Sequence, residues 1–170
     1  LPGYDATPDD KRGYPNTDYP QNAHGTACSG IASAWSENGI GIAGIAPGCQ
    51  VMPVRVFYYV DIPNQGIQPF ATSSVFAEGI NYAWQNGADV LSNSWGIPDW
   101  LLGLLPNQNL IIEAMADCHA YGRDSLGAPM LFSSGNEGDP PIWPGRTVNG
   151  ITVNATSMCD EWKNPQSCDG

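Results

Sequence analysis

The chain has 170 residues, of which 42% are hydrophobic and 10% aromatic. This is enough for one packed core and too few for two comfortable domains, so we expect a single domain. Seventeen acidic residues against six basic ones give a formal net charge of -11. The negative electrostatic field of such a chain repels phosphate backbones and anionic lipids, so we expect neither nucleic acid nor a membrane as a partner.

The two ends of the chain differ from its middle in composition. Residues 1–22 are rich in Pro, Asp, Gly, Asn and Tyr and show no periodic spacing of apolar residues, which predicts an irregular surface segment. Residues 23–156 are predicted to form the core, and residues 157–170 a polar loop that contains cysteines. Cys159 and Cys168 flank residues 160–167 within this loop, and the sequence leaves open whether they form a disulfide or stay free thiols.

Three stretches carry apolar residues at helical spacing, and we predict a helix in each. They are residues 25–35, 75–84 and 110–121. The first contains small residues and is therefore predicted to pack closely against its neighbours. Asn86-Gly87 and Gly122 are predicted to stop the second and the third helix.

Four further stretches are apolar or β-branched and predict strands, namely residues 51–60, 88–92, 129–133 and 151–155. Strands that alternate with helices indicate a parallel sheet, because parallel neighbours need crossover connections. We therefore predict the α/β class, as a three-layer sandwich with a mostly parallel sheet. In such sheets ligands bind beyond the carboxyl ends of the strands.

Conspicuous polar segments begin the first helix and follow two of the strands. They are His24-Gly25-Thr26, Asn93-Ser94-Trp95-Gly96 and Ser133-Ser134-Gly135-Asn136-Glu137-Gly138, with Gly44-Ile45-Ala46-Pro47, Val54-Arg55-Val56 and Gly87-Ala88-Asp89-Val90 between them. In order and approximate spacing this set resembles the subtilisin-like serine peptidases, the subtilases (peptidase S8 type). The resemblance runs from about His24 to Ala155 and implies the central part of a subtilisin-like catalytic domain.

The resemblance implies roles for individual residues. His24 would be the general base and then the general acid, since an imidazole exchanges protons near neutral pH. Asn136 would donate to the oxyanion of the tetrahedral intermediate, and both side chains are expected beside the same bound carbonyl. The expected substrate contacts are Ser94, Trp95, Gly96, Ser133, Ser134 and Gly135. Taken alone, His24 is more simply a surface histidine that caps a helix, and the alternative for Asn136 is a turn asparagine, which is common beside glycine.

Two members of the catalytic triad have no counterpart in these 170 residues. The family's aspartate ends an apolar strand. The candidates here lie instead in irregular polar sequence, namely Asp5, Asp9, Asp10 and Asp18. The family's serine lies in Gly-Thr-Ser-Met-Ala, and Ser157 lacks the leading glycine. The resemblance thus implies a parent serine endopeptidase acting through an acyl-enzyme, with this chain alone inactive. The alternative is a non-catalytic subtilase-like module that binds peptides or acts as a scaffold.

The resemblance also implies a calcium site. Asn38, with the backbone oxygens of Ser36, Ile40 and Ile42, would supply the oxygen ligands that calcium prefers; the alternative is a plain glycine-rich turn. His24 and Cys28 are four residues apart, so a Cys-His dyad on one helix face is a further hypothesis. A core cysteine is the simpler interpretation.

The expected partner is a peptide or protein substrate, and the resemblance implies a secreted or extracellular protein, periplasmic or at the cell surface. Exposed sheet edges would favour a homodimer of this fragment.

Overall fold

The computed structural model describes residues 3–8, 20–136, 140–161, 166 and 168. The chain divides into two compact units, Leu1–Ala83 and Trp84–Gly170. Helices and strands are mixed, and parallel strand pairs occur in both units, so the predicted α/β class is confirmed. The expectation of a single domain over residues 1–170 stays a prediction. Within the described residues, no helix is both long and apolar enough to cross a membrane.

The first unit contains a short parallel pair near its beginning. Strand β1 (Tyr4–Asp5) pairs with β2 (Val54–Arg55) in the register Tyr4↔Val54. The prediction that residues 1–22 form an irregular surface segment is therefore wrong for Tyr4–Asp5, which form a strand, and Asp5 and Thr7 are buried. Residues 9–19 of that segment lie outside the described residues. Two residues are too few to show an alternating pattern, and a strand this short is defined by its distant partner.

A buried ion pair holds β1 to β2. Asp5 Oδ1 accepts hydrogen bonds from the backbone N–H of Thr7 at 2.9 Å and from Thr7 Oγ1 at 2.6 Å. The guanidinium of Arg55 lies 3.0 Å from Asp5 Oδ2. Because the carboxylate is paired and hydrogen-bonded, it can lie inside the unit in spite of its charge.

Helix α1 (His24–Ser33) confirms the first predicted helix, and a 3-10 turn at Pro20–Ala23 precedes it. The expectation of close packing is wrong, because no residue of α1 is buried and Ile31 is 61% exposed. Residues 44–46 run beside its last turn, where the backbone N–H of Ile45 donates to the carbonyl of Ile31 at 3.0 Å. Contact through one backbone segment leaves the rest of the helix surface open.

The predicted strand at residues 51–60 is wrong as a single element. After β2 the chain forms an antiparallel hairpin of β3 (Tyr58–Ile62) and β4 (Gly66–Phe70). Asn64 and Gly66 have positive φ values of 64° and 74°, which allow the tight reversal.

Helix α2 (Ser73–Gln85) confirms the second predicted helix. Its Phe76 and Ile80 are buried, and a Cβ on Gly79 would lie 2.6 Å from Val56 Cγ1, so the helix packs closely there. Gly87, with a φ of 87°, ends the helical path as predicted, and its N–H donates to the carbonyl of Trp84 at 3.3 Å.

The second unit is built on three parallel strands in the order β5 (Leu91–Asn93), β6 (Met130–Ser133) and β7 (Ile151–Val153). All three were predicted, with ends displaced by up to three residues. Along the chain, two helices follow β5 and precede β6, namely α3 (Asp99–Leu102) and α4 (Asn109–Ser125). The backbone of α4 leaves helical geometry at Gly122, as predicted.

The core of this unit lies between α4 and β6. Ile111, Met115 and Cys118 on α4 are fully buried, and so are Met130 and Phe132 on β6. Cys118 is a free thiol, and its burial raises its pKa to about 11. It therefore serves as a small apolar core residue.

The polar loop at the end of the chain contains a disulfide. Cys159 and Cys168 are bonded, with their Cα atoms 6.4 Å apart. Cys28 and Cys49 are free thiols. The sequence left open whether these two cysteines form a disulfide or stay free thiols, and in the structure they form the disulfide.

Candidate functional site

The candidate substrate contacts lie beyond the carboxyl ends of two neighbouring strands. Strands β5 and β6 run parallel, and Asn93 pairs in register with Phe132. Residues 94–96, here called the first wall, and residues 133–135, the second wall, therefore leave the sheet at the same edge. The structure thus brings together all six predicted substrate-binding residues within the unit Trp84–Gly170.

The first wall is held by the residue that precedes it. Asn93 Oδ1 accepts a hydrogen bond from the indole Nε1 of Trp95 at 3.2 Å. The Trp95 ring meets the ring of Phe132 edge to face, with centroids 5.3 Å apart. These contacts fix Trp95 against the sheet, while Ser94 is exposed and Gly96 half-buried.

The second wall turns sharply out of the sheet. Ser134 is buried, and its backbone N–H donates to the carbonyl of Val153 on β7 at 3.1 Å. Gly135 has a φ of 102°, a conformation that glycine adopts without strain. The turn leaves Asn136 exposed at the end of the wall, where its amide can face a ligand.

A segment that the sequence analysis missed joins the two walls. The N–H of Ile142 donates to the carbonyl of Ser134 at 3.2 Å, and the N–H of Ile97 donates to the carbonyl of Trp143 at 2.6 Å. The side chain of Ile142 lies directly against the backbone of Gly96. No periodic pattern marks residues 142–143 in the sequence, and only the glycine at position 96 hinted at a close neighbour.

An exposed ion pair connects the continuations of the same segments. The guanidinium of Arg146 contacts both carboxylate oxygens of Asp99, at 3.1 Å and 2.5 Å. The hydrogen bond from Arg146 lowers the pKa of Asp99 below its ordinary value. The pair fastens the first turn of α3 to the loop after Trp143.

The predicted general base lies in the other unit. His24 is the first residue of α1 and is exposed. The Sγ atom of Cys28 is 3.9 Å from its Nε2 and 4.0 Å from its Nδ1, so the two side chains share a helix face as the spacing suggested. His24 belongs to Leu1–Ala83 and Asn136 to Trp84–Gly170. The expectation that they lie beside one carbonyl therefore stays a prediction.

The candidate calcium loop is a sequence of tight turns. Asn38 Oδ1 accepts a hydrogen bond from the N–H of Ile40 at 2.9 Å, and Gly39 and Gly41 have positive φ values of 70° and 64°. Calcium takes six to eight oxygen ligands, and this loop offers the Asn38 amide and backbone carbonyls. Among the described residues, no three His, Cys, Asp or Glu side chains cluster as metal ligands. The loop therefore offers oxygen atoms of the kind that calcium prefers, and the calcium site stays a prediction.

Ser157 is engaged in a turn of its own. Its side chain is buried, and Oγ accepts hydrogen bonds from the N–H groups of Cys159 at 3.1 Å and Glu161 at 3.3 Å. A nucleophilic serine needs an accessible hydroxyl beside a base. The geometry agrees with the interpretation that Ser157 is not the nucleophile.

Known proteins resemble most of this chain. A sequence model of the Subtilase family matches residues 3–166. Thermitase from Thermoactinomyces vulgaris is 35% identical over 148 residues, which cover 85% of this chain and 46% of thermitase. A calcium-dependent protease from Trichormus variabilis is 36% identical over 122 residues, 66% of this chain and 16% of that protein. Neuroendocrine convertase 2 from Bos taurus is 34% identical over 136 residues, 79% of this chain and 20% of that protein. The chain spans less than half the length of each of these relatives.

Proposed function

Because the chain belongs to the subtilase family, we propose that it forms the central part of a serine endopeptidase that cleaves peptide bonds through an acyl-enzyme. The observation that carries this proposal is the junction of the two walls at one sheet edge, linked through residues 142–143. An extended peptide can pair with the exposed backbone of such walls while its side chains enter the space between them. The substrate is accordingly a peptide or protein.

The proposal gives the two polar candidates different tasks. His24 removes the proton from the nucleophilic serine and later returns it to the leaving amine. The amide of Asn136 donates a hydrogen bond to the carbonyl oxygen as it becomes negative in the tetrahedral intermediate. Within this family, removal of one such donor lowers kcat by about 10²–10³, and we adopt that magnitude. The exposure of both side chains supports these roles.

This 170-residue chain is proposed to be inactive alone, since its sequence offers neither the family's serine motif nor its aspartate motif. The test is labelling with a serine-directed fluorophosphonate. The full-length protein that carries this chain should label stoichiometrically, and the isolated chain should not. Labelling of the isolated chain would overturn the proposed inactivity. An unlabelled full-length protein would instead favour a non-catalytic peptide-binding or scaffolding module.

A calcium ion at the Asn38 loop is part of the proposal, supported by the name of one relative, a calcium-dependent protease. Asn38 Oδ1 and the carbonyls of Ser36, Ile40 and Ile42 would hold the ion and stabilise the turns. The thermal midpoint of the full-length protein should rise with calcium and fall with a chelator, and Asn38→Ala should weaken this response. A midpoint that calcium does not move would contradict the site.

The proposed location is outside the cell, in a secreted, periplasmic or surface-bound protein. The Cys159–Cys168 disulfide supports this, because disulfides persist in oxidising compartments. The mass of the protein from its native source should rise by about 2 Da on reduction. An unchanged mass would place the cysteines in a reducing compartment.

The isolated chain is also proposed to form a homodimer. Among the described residues β7 is an edge strand, and its Ile151 and Val153 are about half exposed. An exposed apolar edge strand is a template for pairing with a second chain. Light scattering should give twice the mass of one chain, and Val153→Lys should return it to the monomer value. If the unsubstituted isolated chain has the mass of a monomer, the proposed dimer is contradicted.

A further inference from the structure

Three Asn-Gly pairs occur in the chain, and their glycine nitrogens differ in environment. They are Asn38-Gly39, Asn86-Gly87 and Asn149-Gly150. In such a pair the glycine nitrogen can attack the side-chain Cγ of the asparagine, because glycine has no Cβ to hinder the approach. The new C–N bond closes a five-membered succinimide, and ammonia leaves. Water then opens the ring to aspartate or isoaspartate.

Two of these glycine nitrogens are held in turns. The Gly87 N–H donates to the carbonyl of Trp84 at 3.3 Å. The Gly150 N–H donates to the carbonyl of Thr147 at 3.0 Å. Gly150 is also crowded, since a Cβ there would lie 2.6 Å from the carbonyl oxygen of Gly145. A nitrogen that donates its hydrogen must lose this bond before it can attack, which slows the reaction.

The Asn38-Gly39 pair has the opposite arrangement. The Ile40 N–H donates to Asn38 Oδ1 at 2.9 Å. This hydrogen bond folds the side-chain amide over the Gly39 backbone and draws electron density from the carbonyl that is attacked. No backbone carbonyl of the described residues accepts a hydrogen bond from the Gly39 N–H. The Asn38 amide is therefore positioned for attack, while no backbone carbonyl holds the attacking nitrogen.

The loop that carries this pair is closed at its base and open at its tip. The Gly44 N–H donates to the carbonyl of Ala34 at 2.9 Å, which closes the loop of residues 35–43. Asn38 and Gly39 are exposed, and a Cβ on Gly39 would meet no atom within 4 Å beyond its chain neighbours. Water reaches the pair, and the small rotations that ring closure needs displace no packed neighbour.

We propose that Asn38 is a site of spontaneous deamidation, so that the loop of residues 35–43 acquires a carboxylate as the folded protein ages. This inference does not rest on the proposed peptidase function, because it uses only the geometry of the loop. The product adds one negative charge to a chain whose formal net charge is already -11. It also replaces an amide oxygen by a carboxylate in the candidate calcium loop, which changes the ligands offered there.

The experiment incubates the folded full-length protein in a mildly alkaline buffer. A chelator keeps cations away from Asn38, and a serine-directed fluorophosphonate prevents autolysis. Peptide mapping by mass spectrometry follows the gain of about 1 Da at each asparagine. The Asn38 peptide should convert about tenfold faster than those of Asn86 and Asn149, since a hydrogen bond retards each of these two. In urea, where no turn persists, the three rates should converge.

Gly39→Ala is the test variant, and Gly41→Ala is its matched control. Both glycines have positive φ values, 70° and 64°, and open surroundings, so the two alanines are similarly strained. Only Gly39→Ala hinders the attacking nitrogen, and it alone should slow the conversion of Asn38. If Gly39→Ala does not fold, Asn38→Gln replaces it. Glutamine keeps the amide but cannot close a five-membered ring, so the mass gain at residue 38 should disappear.

The outcomes separate this site from general ageing of the chain. Faster conversion of Asn38 in the folded protein, slowed by Gly39→Ala and not by Gly41→Ala, supports the assignment. An Asn38 peptide that keeps its mass, or equal rates at the three pairs in the folded protein, overturns it. Equal slowing by both variants also overturns it, because loop strain and not the Gly39 nitrogen would then set the rate. Each of these results stands whether or not the full-length protein is a peptidase.

Discussion

The buried pair of Asp5 and Arg55 gives the most informative stability test of the first unit. The Asp5 side chain has 0% exposure and that of Arg55 has 9%. Replacement of Arg55 by Met leaves the carboxylate buried without its cation, which typically costs about 3–5 kcal/mol. The two donors from Thr7 stay in place, so we expect the lower end, about 3 kcal/mol. A small domain is stable by roughly 5–15 kcal/mol, so the loss is readily measured.

A double variant distinguishes an unpaired charge from lost packing. In Asp5→Leu/Arg55→Met no charge is buried, and most of the lost free energy should return, so the two changes are strongly non-additive. Arg146→Met, which breaks the exposed pair with Asp99, is the matched control and should leave the unfolding midpoint nearly unchanged.

The assay is urea unfolding of the 170-residue chain, followed by far-ultraviolet circular dichroism. Two results would contradict the burial of this pair: a cost of less than about 1 kcal/mol for Arg55→Met, or a double variant as unstable as the single one. Either result would mean that the Asp5 carboxylate is hydrated and not enclosed between β1 and β2.

Two further predictions concern the second unit. Gly145→Ala would place a Cβ 2.7 Å from the Cβ of Phe132 and should cost about 1–3 kcal/mol in urea unfolding, whereas Gly103→Ala meets open space and should be nearly neutral. Equal stability of the two variants would contradict the packing at this glycine. The buried Cys118, with its pKa raised to about 11, should escape iodoacetamide at pH 8 while the two other free thiols react. Counting the adducts by mass spectrometry checks this, and three adducts on the folded chain would contradict the burial.

The raised pKa of Cys118 also sets a pH dependence. The neutral thiol is favoured in the folded state, so this contribution to stability is complete below the ordinary pKa of about 9 and is lost as the pH rises toward about 11. Cys118→Ala should remove this part of the alkaline loss of stability in unfolding curves measured between pH 8 and pH 11. An identical alkaline loss in the variant would contradict it.

The sequence predicted those elements whose signals are local. Apolar spacing located α2 and α4, and Gly87 and Gly122 marked where their helical geometry ends. It also showed that polar residues follow two apolar strands, where the resemblance implied the two walls. Parallel pairing of β5 with β6 then placed both walls at one edge.

The elements that escaped prediction depend on distant partners. Strand β1 exists through its pairing with β2 and the Asp5–Arg55 contact, 50 residues apart. Ile142 is held by contacts to Gly96 and Ser134, and neither contact leaves a periodic trace in the sequence. Helix α1 was predicted to pack closely because its residues are small, yet none of them is buried. Small residues permit close packing, but the sequence does not say which segment would pack against them.

The role of Asn136 is tested most directly by the kinetics of Asn136→Ala in the full-length protein. We expect kcat to fall by about 10²–10³ with little change in KM, because the amide acts on the oxyanion and not on the bound substrate. Asn109→Ala, at an exposed position of α4, should leave both constants unchanged. A kcat within twofold of the wild type for Asn136→Ala would contradict the oxyanion role of Asn136.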